Sequence, residues 1–299
     1  MIFLVDASVY VFRAYRSMLP EMLDADGNPT HAVFGFARFL GDLIERVRPD
    51  YIAVAFDQRR RSDSYRVQLY PAYKANREPA PADLALQFER CRELCAHLGI
   101  PAFVHPQYEA DDVIGTLGTL MRAAGERAAF ITRDKDLAQL LRDGDLLWDF
   151  GARGQFGYHD IERHFGVPPE RFADYLALTG DEVDNIPGVP GVGHRTAVSL
   201  MKAFASLEEL YDNLARVALL KVRGAGTLGA RLREYRESVY LARQLTRISC
   251  DLPLGVAPAG LRRRVPDLAS LSRLYDRLGF GPFLRRQGER LAQLPAAGA

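Results

Sequence analysis

Cysteine is scarce in this chain: Cys91, Cys95 and Cys250 are the only three in 299 residues. That is too few for a disulfide framework. Cys91 and Cys95 stand four apart in a helical pattern, with no second Cys/His pair at zinc-like spacing nearby, so packing is their expected role. No apolar run approaches the ~20 residues that cross a bilayer. The first residues, Met1 to Asp6, lack the charged region and cleavage site of a signal peptide. A cytoplasmic location with no membrane contact is therefore expected. The histidines (His31, His97, His105, His159, His164, His194) form no catalytic constellation. Trp148 is the single tryptophan and is expected in the core. Lysine is rare too, with arginine supplying nearly all of the 39 basic residues.

Against these absences, the composition is that of an ordinary folded chain, 48% apolar and 26% charged. Its length suits one large domain or two modest ones. Net charge is only +1, but it is unevenly placed. Residues 58 to 77 carry six basic side chains (Arg59, Arg60, Arg61, Arg66, Lys74, Arg77) against one acid, Asp63. From Arg216 onward sixteen basic residues face six acids, a net +10. The remainder is net acidic. Basic lobes around an acidic centre suit a polyanion held over a metal site.

The acidic centre has a focus. Tyr108-Glu109-Ala110-Asp111-Asp112-Val113 places three carboxylates in four positions, just before an apolar series (Val113, Ile114, Leu117, Leu120, Met121) at helical spacing. One or two acids at a helix start are ordinary, because the N-terminus favours negative charge. Three repel one another and raise each other's pKa unless a cation is present. Such clusters suit hard divalent ions, Mg²⁺ or Mn²⁺.

Other acids stand in related places. Apolar runs at Ile2–Val5, Tyr51–Phe56, Ala102–Val104 and Ala128–Ile131 read as buried strands, alternating with helices at about Ser8–Leu19, Ala32–Val47, Leu84–Leu98 and from the acid cluster to about Ala124. That alternation predicts an α/β fold with a mostly parallel central sheet flanked by helices. Ligands bind outside the carboxyl ends of such strands. Asp6, Asp57 and Asp134 stand at or just past three of those ends, and the Glu109 cluster follows a fourth. A helix over Leu137–Leu141 and short strands at Leu146–Phe150 and Phe156–Tyr158 come next. Asp24–Pro29 faintly resembles a calcium loop, but lacks the distal Glu and flanking helix pair, so a turn is expected. Residues 58 to 81 form a polar, basic, aromatic stretch of a length usually kept for function.

From about His159 the pattern is helical. A helix over Arg171–Thr179 ends in Gly180-Asp181-Glu182-Val183-Asp184-Asn185, with Asp181 and Asp184 on one face of a helical turn. Residues 187 to 193 follow as a tight Gly/Pro hairpin between helices. Its backbone N–H groups can hold a phosphate without reading bases. Acids beside a phosphate cradle point to phosphodiester chemistry. Residues 221 to 226 form a second candidate hairpin, 258 to 266 a loop, and 295 to 299 a disordered tail.

Taken in order, Asp6, the 57–81 segment, Tyr-Glu-Ala-Asp-Asp, Thr-Arg-Asp-Lys-Asp-Leu and Thr-Gly-Asp-Glu-Val-Asp-Asn-Ile-Pro-Gly-Val-Pro-Gly-Val-Gly resemble the bacterial 5′-nuclease family. That family includes the 5′→3′ exonuclease domain of DNA polymerase I, phage 5′-exonucleases and flap endonucleases. The likeness spans about Met1 to Leu214. No polymerase follows, so a stand-alone member or an excised domain is expected. The resemblance implies a PIN-like nuclease core over residues 1–165 with a helical arch at about 58–81. It implies a helical DNA-binding region over 166–299, with a helix–hairpin–helix at about 171–205.

The resemblance also implies roles. Asp6, Asp57, Glu109, Asp111 and Asp112 match a first metal group; Asp134, Asp136, Asp181 and Asp184 match a second. Asp111 or Asp112 is expected between the two ions. Lys74 and Arg77 are expected to stabilise charge on the phosphate, and Tyr73 to stack on an unpaired base. Arg13, Gly188, Gly191, Gly193 and Arg195 are expected against DNA. Carbonyls of Pro187, Val189 and Val192 match a K⁺-binding turn. The implied activity is two-metal hydrolysis of DNA at 5′ flaps, 5′ overhangs and single/double-strand junctions, by a monomer. Two alternatives stay open: a branched-DNA-binding module that does not cut, which would have a broken acid set, and a PIN-like ribonuclease, which would lack the arch and hairpin.

Overall fold

The computed structural model describes residues 1–57, 61–151 and 154–295. Arg59, Arg60, the Arg61 side chain and the tail beyond Pro295 thus lie outside the described residues. The chain runs β1 (Ile2–Asp6), α1 (Ala7–Ser17), α2 (His31–Val47), β2 (Tyr51–Phe56), α3 (Tyr65–Leu69), α4 (Ala82–His97), β3 (Ala102–Val104), α5 (Ala110–Ala123), β4 (Ala128–Ile131), β5 (Leu146–Asp149) and β6 (Gly154–Gly157). Helices follow: α6 (Tyr158–Phe165), α7 (Phe172–Thr179), α8 (His194–Ala203), α9 (Leu207–Asp212), α10 (Ala225–Glu234), α11 (Arg236–Thr246), α12 (Leu268–Arg277) and α13 (Pro282–Ala292).

Among the described residues the strands form one six-stranded sheet in the order β3-β2-β1-β4-β5-β6, parallel except for the antiparallel edge β6. The inner strands read as unbroken apolar runs because both faces are covered. Their side chains still alternate between two cores. Ile2, Leu4, Ala53, Ala55, Ala128 and Phe130 face one, with α5 and helices α7 to α11. Val5, Ile52, Val54, Phe56, Ala129 and Ile131 face the other, with α1, α2, α4, α12 and α13. The last two helices therefore return to the α/β core, through Leu271, Leu274, Leu284 and Leu291. Strand order runs outward in both directions from β1, which makes the β1/β4 boundary a topological switch point.

Three details depart from expectation. Residues 135–140 form a 3-10 helix rather than an α-helix, capped by Asp134 Oδ1, which accepts the Asp136 N–H at 2.9 Å. Among its described residues the arch holds a 3-10 turn (Arg61–Asp63) and the five-residue α3, and turns carry the chain from 71 to 76. The Asp181–Ile186 segment is a closed loop, not a helical turn. Two backbone hydrogen bonds of 2.8 and 2.9 Å pin Asp181 to Ile186. The Asp24–Pro29 segment is a turn; Asp24 accepts hydrogen bonds from Asp26 and Asn28.

Candidate active site

The carboxyl ends of β1, β2, β3 and β4 open on one edge, and acids from each meet there. Asp6, the last residue of β1, caps α1 through the Val9 N–H. Its other oxygen accepts the Thr132 hydroxyl at 2.9 Å, across the switch point. Asp57, just past β2, accepts the Ala110 N–H at 2.9 Å, which ties it to the start of α5. Asp111 and Glu109 stand at that start, and Asp134 and Asp136 follow β4.

Electrostatics show that these groups feel one another. Burial, then Asp57 and Asp134, push the Asp6 carboxyl up to about 7. Burial, then Asp134, Asp6 and Asp57, push Asp111 well above the carboxylate range. Asp136 moves the same way through burial and Asp134. Asp134 is raised by burial and, more weakly, by Asp184. The buried Oδ1 of Asp136 has no hydrogen-bond partner among the described residues. Carboxyls whose pKa values are raised by burial and by one another, one with an orphaned oxygen, are the donor set a hard divalent cation fits. Among the described residues no three acids already converge at metal-ligand geometry.

Protein cations reach the same acids from the other side. Lys74 Nζ lies 2.9 Å from Glu109 and 3.6 Å from Asp184. Lys135 Nζ lies 2.9 Å from Asp181, and Arg77 pairs with Asp184. Burial raises the Glu109 pKa, but Lys74 and Arg66 outweigh it and hold the group below the usual range. Lys74 is itself raised well above an ordinary lysine: burial disfavours its charge, but Glu109 and other neighbours overcome that.

The arch is docked onto the Asp181–Ile186 loop. The Lys74 N–H donates to the Asp184 carbonyl at 2.9 Å, Asn185 Nδ2 to the Ala72 carbonyl at 2.7 Å, and Asn76 Nδ2 to the Glu182 carbonyl at 3.0 Å. Lys74 and Asn185 both have positive φ, 53° and 55°. Non-glycine residues rarely adopt that conformation, and it tends to be kept where a site constrains the chain.

The hairpin is built on a close approach of two glycines. Gly180 has φ 74°, and a Cβ there would lie 2.4 Å from the Gly188 nitrogen. A Cβ on Gly188 would lie 2.3 Å from the Thr179 carbonyl oxygen. The Val189 carbonyl accepts the Val192 N–H at 2.9 Å, and Arg231 Nη1 donates to the Pro190 carbonyl at 3.0 Å. Gly193 precedes α8 with no side-chain cap, so the first N–H groups of that helix lack a side-chain partner from the cap position. Pro187, Gly188, Gly191 and Arg195 lie along this turn and the start of α8.

Two residues sit apart from the expected roles. Asp112 is fully buried. Arg66 grips it through two bonds, 2.6 and 2.8 Å, and the Ser249 and Glu109 N–H groups donate at 2.8 and 3.1 Å. Both its oxygens are thus engaged, and Asp111 is the member of the pair that faces the other acids. Tyr73 is 2% exposed under the arch. Its hydroxyl donates toward Glu109 at 3.0 Å and Asp184 at 3.2 Å, so its ring does not face an open channel.

The sequence reading also passed over Arg66 and Lys135 as partners of acids. Both lay in stretches already singled out, but charge counting could not pair them. Arg13 is half-exposed and directed at the end of β5, 3.8 Å from Asp149.

The family model described as "5'-3' exonuclease, N-terminal resolvase-like domain" matches residues 1–166, and "5'-3' exonuclease, C-terminal SAM fold" matches residues 167–269. The DNA polymerase I of Pseudomonas aeruginosa is 39% identical over 282 residues, 94% of this chain and 31% of that protein. The chain thus spans about a third of the length of the curated relatives it matches. Among solved structures, a phage T5 5'-exonuclease with bound zinc ions has a TM-score of 0.66 at 20% identity, covering 98% of each chain. The catalytic core of Rad2 in complex with DNA substrate has a TM-score of 0.65 at 17% identity, covering 98% of this chain and 91% of its own. At those identities the likeness is one of fold.

Proposed function

The chain belongs to the 5′-3′ exonuclease family, and from that premise we propose that it hydrolyses DNA phosphodiester bonds near 5′ ends, at flaps, overhangs and strand junctions, with divalent metal ions. The observation that carries this reading is the meeting of Asp6, Asp57, Asp111, Asp134 and Asp136 at one sheet edge, where burial and neighbouring carboxylates raise the pKa of Asp6, Asp111, Asp134 and Asp136. Two Mg²⁺ or Mn²⁺ ions, when bound, would supply an activated water and neutralise the leaving oxygen.

The protein's own groups do the rest. Asp6, Asp57, Glu109 and Asp111 would hold one ion, and Asp134, Asp136, Asp181 and Asp184 the other. Asp6 is oriented by Thr132, and Asp57 by the Ala110 N–H. Lys74 stays protonated beside Glu109, so it presents positive charge where negative charge develops on the phosphate. Arg77 adds a second cation at the rim, and Tyr73 positions Glu109 and Asp184 from beneath. The hairpin would grip a phosphate of the duplex through backbone groups at Gly188, Gly191 and Gly193, helped by Arg195. A K⁺ ion on the carbonyls of Pro187, Val189 and Val192 would strengthen that grip. The K⁺ claim fails if duplex binding is equal in K⁺ and Na⁺ at constant ionic strength.

The deciding experiment is cleavage of a 5′-labelled flap duplex in Mg²⁺ and in EDTA. We expect short 5′ products in Mg²⁺ alone. Binding without any Mg²⁺-dependent product would favour the non-cleaving module, and faster cleavage of RNA hairpins than of DNA flaps would favour the ribonuclease.

A further inference from the structure

An arginine basin adjoins the acidic edge. Arg13, Arg16 and Arg133, with Val9, Phe12 and Ser17, line an open hollow of about 650 Å³. No carboxylate is among those lining residues. Underneath sits Asp149, the last residue of β5 and only 6% exposed. Its carboxylate lies 3.3 Å from Arg133 Nε and 3.8 Å from Arg13 Nη1. Neither of its oxygens has a hydrogen-bond partner among the described residues. Asp149 is thus a buried anion balanced by the charges of two half-exposed arginines, which it draws toward one place. Arg13 is fixed further, because its Nη1 donates to the Phe150 carbonyl at 3.3 Å.

Two elements join this basin to the acids. Arg133 immediately precedes Asp134. Arg13 lies seven residues along α1 from Asp6, about 10 Å at 1.5 Å per residue. At 3.4 Å per stacked nucleotide that distance is roughly three nucleotides of one strand.

We propose that Arg13, Arg16 and Arg133 form a phosphate-binding subsite within about three nucleotides of the cleaved bond, and that Asp149 is its positioning residue. The ligand is a phosphate of the substrate strand, either an internal diester or a terminal 5′-monoester. The inference rests on the 5′-nuclease reading. It adds Arg16, Arg133 and Asp149, none of which belongs to the acid set, the arch or the hairpin. Asp149 touches no substrate; it acts through the two arginines.

The test uses the full chain and a 5′-flap duplex. If the wild type shows no Mg²⁺-dependent cleavage, the 5′-nuclease reading fails at that step. With cleavage established, Arg16→Ala and Arg133→Ala are expected to raise KM roughly three- to tenfold with kcat unchanged, since tenfold corresponds to one good contact. Each should also lower the slope of log affinity against log salt by about one. Asp149→Asn should raise KM and lower that slope while Mg²⁺ dependence persists. A purely structural Asp149 would lower the melting temperature and leave the slope unchanged, which would remove its positioning role.

Source is resolved by two substrate arms. Single methylphosphonate linkages are walked across the three nucleotides on each side of the cleaved bond, and 5′-phosphate ends are compared with 5′-hydroxyl ends. A penalty in the wild type that vanishes in Arg133→Ala identifies the bound phosphate, internal or terminal. If both arginine variants keep wild-type KM and salt slope, or if every penalty persists undiminished in them, the subsite does not exist.

Discussion

Replacing Asp112 by alanine separates a fold-holding acid from a metal ligand. In the structure its carboxylate takes two bonds from Arg66 and one each from the Ser249 and Glu109 N–H groups. Arg66 spends its remaining donors on the Leu245 and Arg247 carbonyls at 2.8 and 3.1 Å. The pair therefore joins α3, α5 and the segment after α11. Asp112→Ala leaves a guanidinium, 3% exposed, without its main partner. Breaking one side of a buried pair costs about 3–5 kcal/mol. For a chain of this size that corresponds to roughly 5–15 °C in melting temperature. Urea titration and thermal melting by circular dichroism measure it. The double variant Arg66→Met/Asp112→Leu removes both charges and should recover most of the loss, because apolar replacement of a whole buried pair is often close to neutral. If Asp112 holds no metal, the folded double variant still cleaves the flap in Mg²⁺, within about tenfold of wild type (~1.4 kcal/mol). The reasoning is refuted if Asp112→Ala melts within about 1 kcal/mol of wild type yet has lost all cleavage, since surface-like substitutions cost that little.

Three further outcomes follow from the same geometry. Burial and the neighbouring Asp57 and Asp134 push the Asp6 carboxyl from the ordinary carboxylate range up to about 7 in the metal-free fold, so the stability it contributes is present at low pH and is lost as pH rises through 7. The metal-free protein should therefore melt lower at pH 8 than at pH 6, with Mg²⁺ closing the gap and Asp6→Asn flattening the dependence; melting in EDTA and in Mg²⁺ checks this, and a rising trend in EDTA would contradict it. Tyr73→Phe keeps a ring for stacking but removes the hydroxyl that bonds Glu109 and Asp184. It should lower kcat and cost on the order of 1 kcal/mol of stability; a silent variant would instead favour the stacking role. Gly188→Ala places a methyl 2.3 Å from the Thr179 carbonyl oxygen. It should destabilise the hairpin by at least about 1–3 kcal/mol and weaken duplex binding in a gel-shift assay, whereas Gly193→Ala, with nothing within 4 Å, should not.

The parallel sheet was legible because its strands are unbroken apolar runs, which helices on both faces require. Acids at strand ends were legible for the same reason: a carboxylate stands out directly after an apolar run, at the carboxyl edge where ligands bind. What stayed hidden depends on direction rather than position. Asp111 and Asp112 are adjacent, so on α5 they point about 100° apart. One turns toward Asp6 and Asp134, the other into the protein toward Arg66, and spacing alone does not say which. Tyr73 was expected to stack on an unpaired base, yet the arch folds down and buries it. The Asp181–Ile186 loop looked helical from the spacing of its acids, but its backbone bridge sets both of them.

Asp149 shows where the strand-end rule could have gone further. It closes β5 as Asp6 closes β1, and by position alone it would have joined the metal set. The difference lies in what reaches it. Asp6 has a hydroxyl, two backbone-tethered carboxyls nearby and no cation within ion-pair distance among the described residues, so burial and its neighbours push its pKa up. Asp149 has two arginines and no other acid beside it in the ion pairs it makes. The same residue type at the same kind of position is therefore a candidate ligand in one strand and a counter-ion in another. On the proposed reading, this sheet edge carries a boundary between acids that would hold cations and arginines that would hold phosphate. A strand of DNA laid along α1 would cross that boundary, with its scissile bond on the acidic side and its flanking phosphate on the basic one.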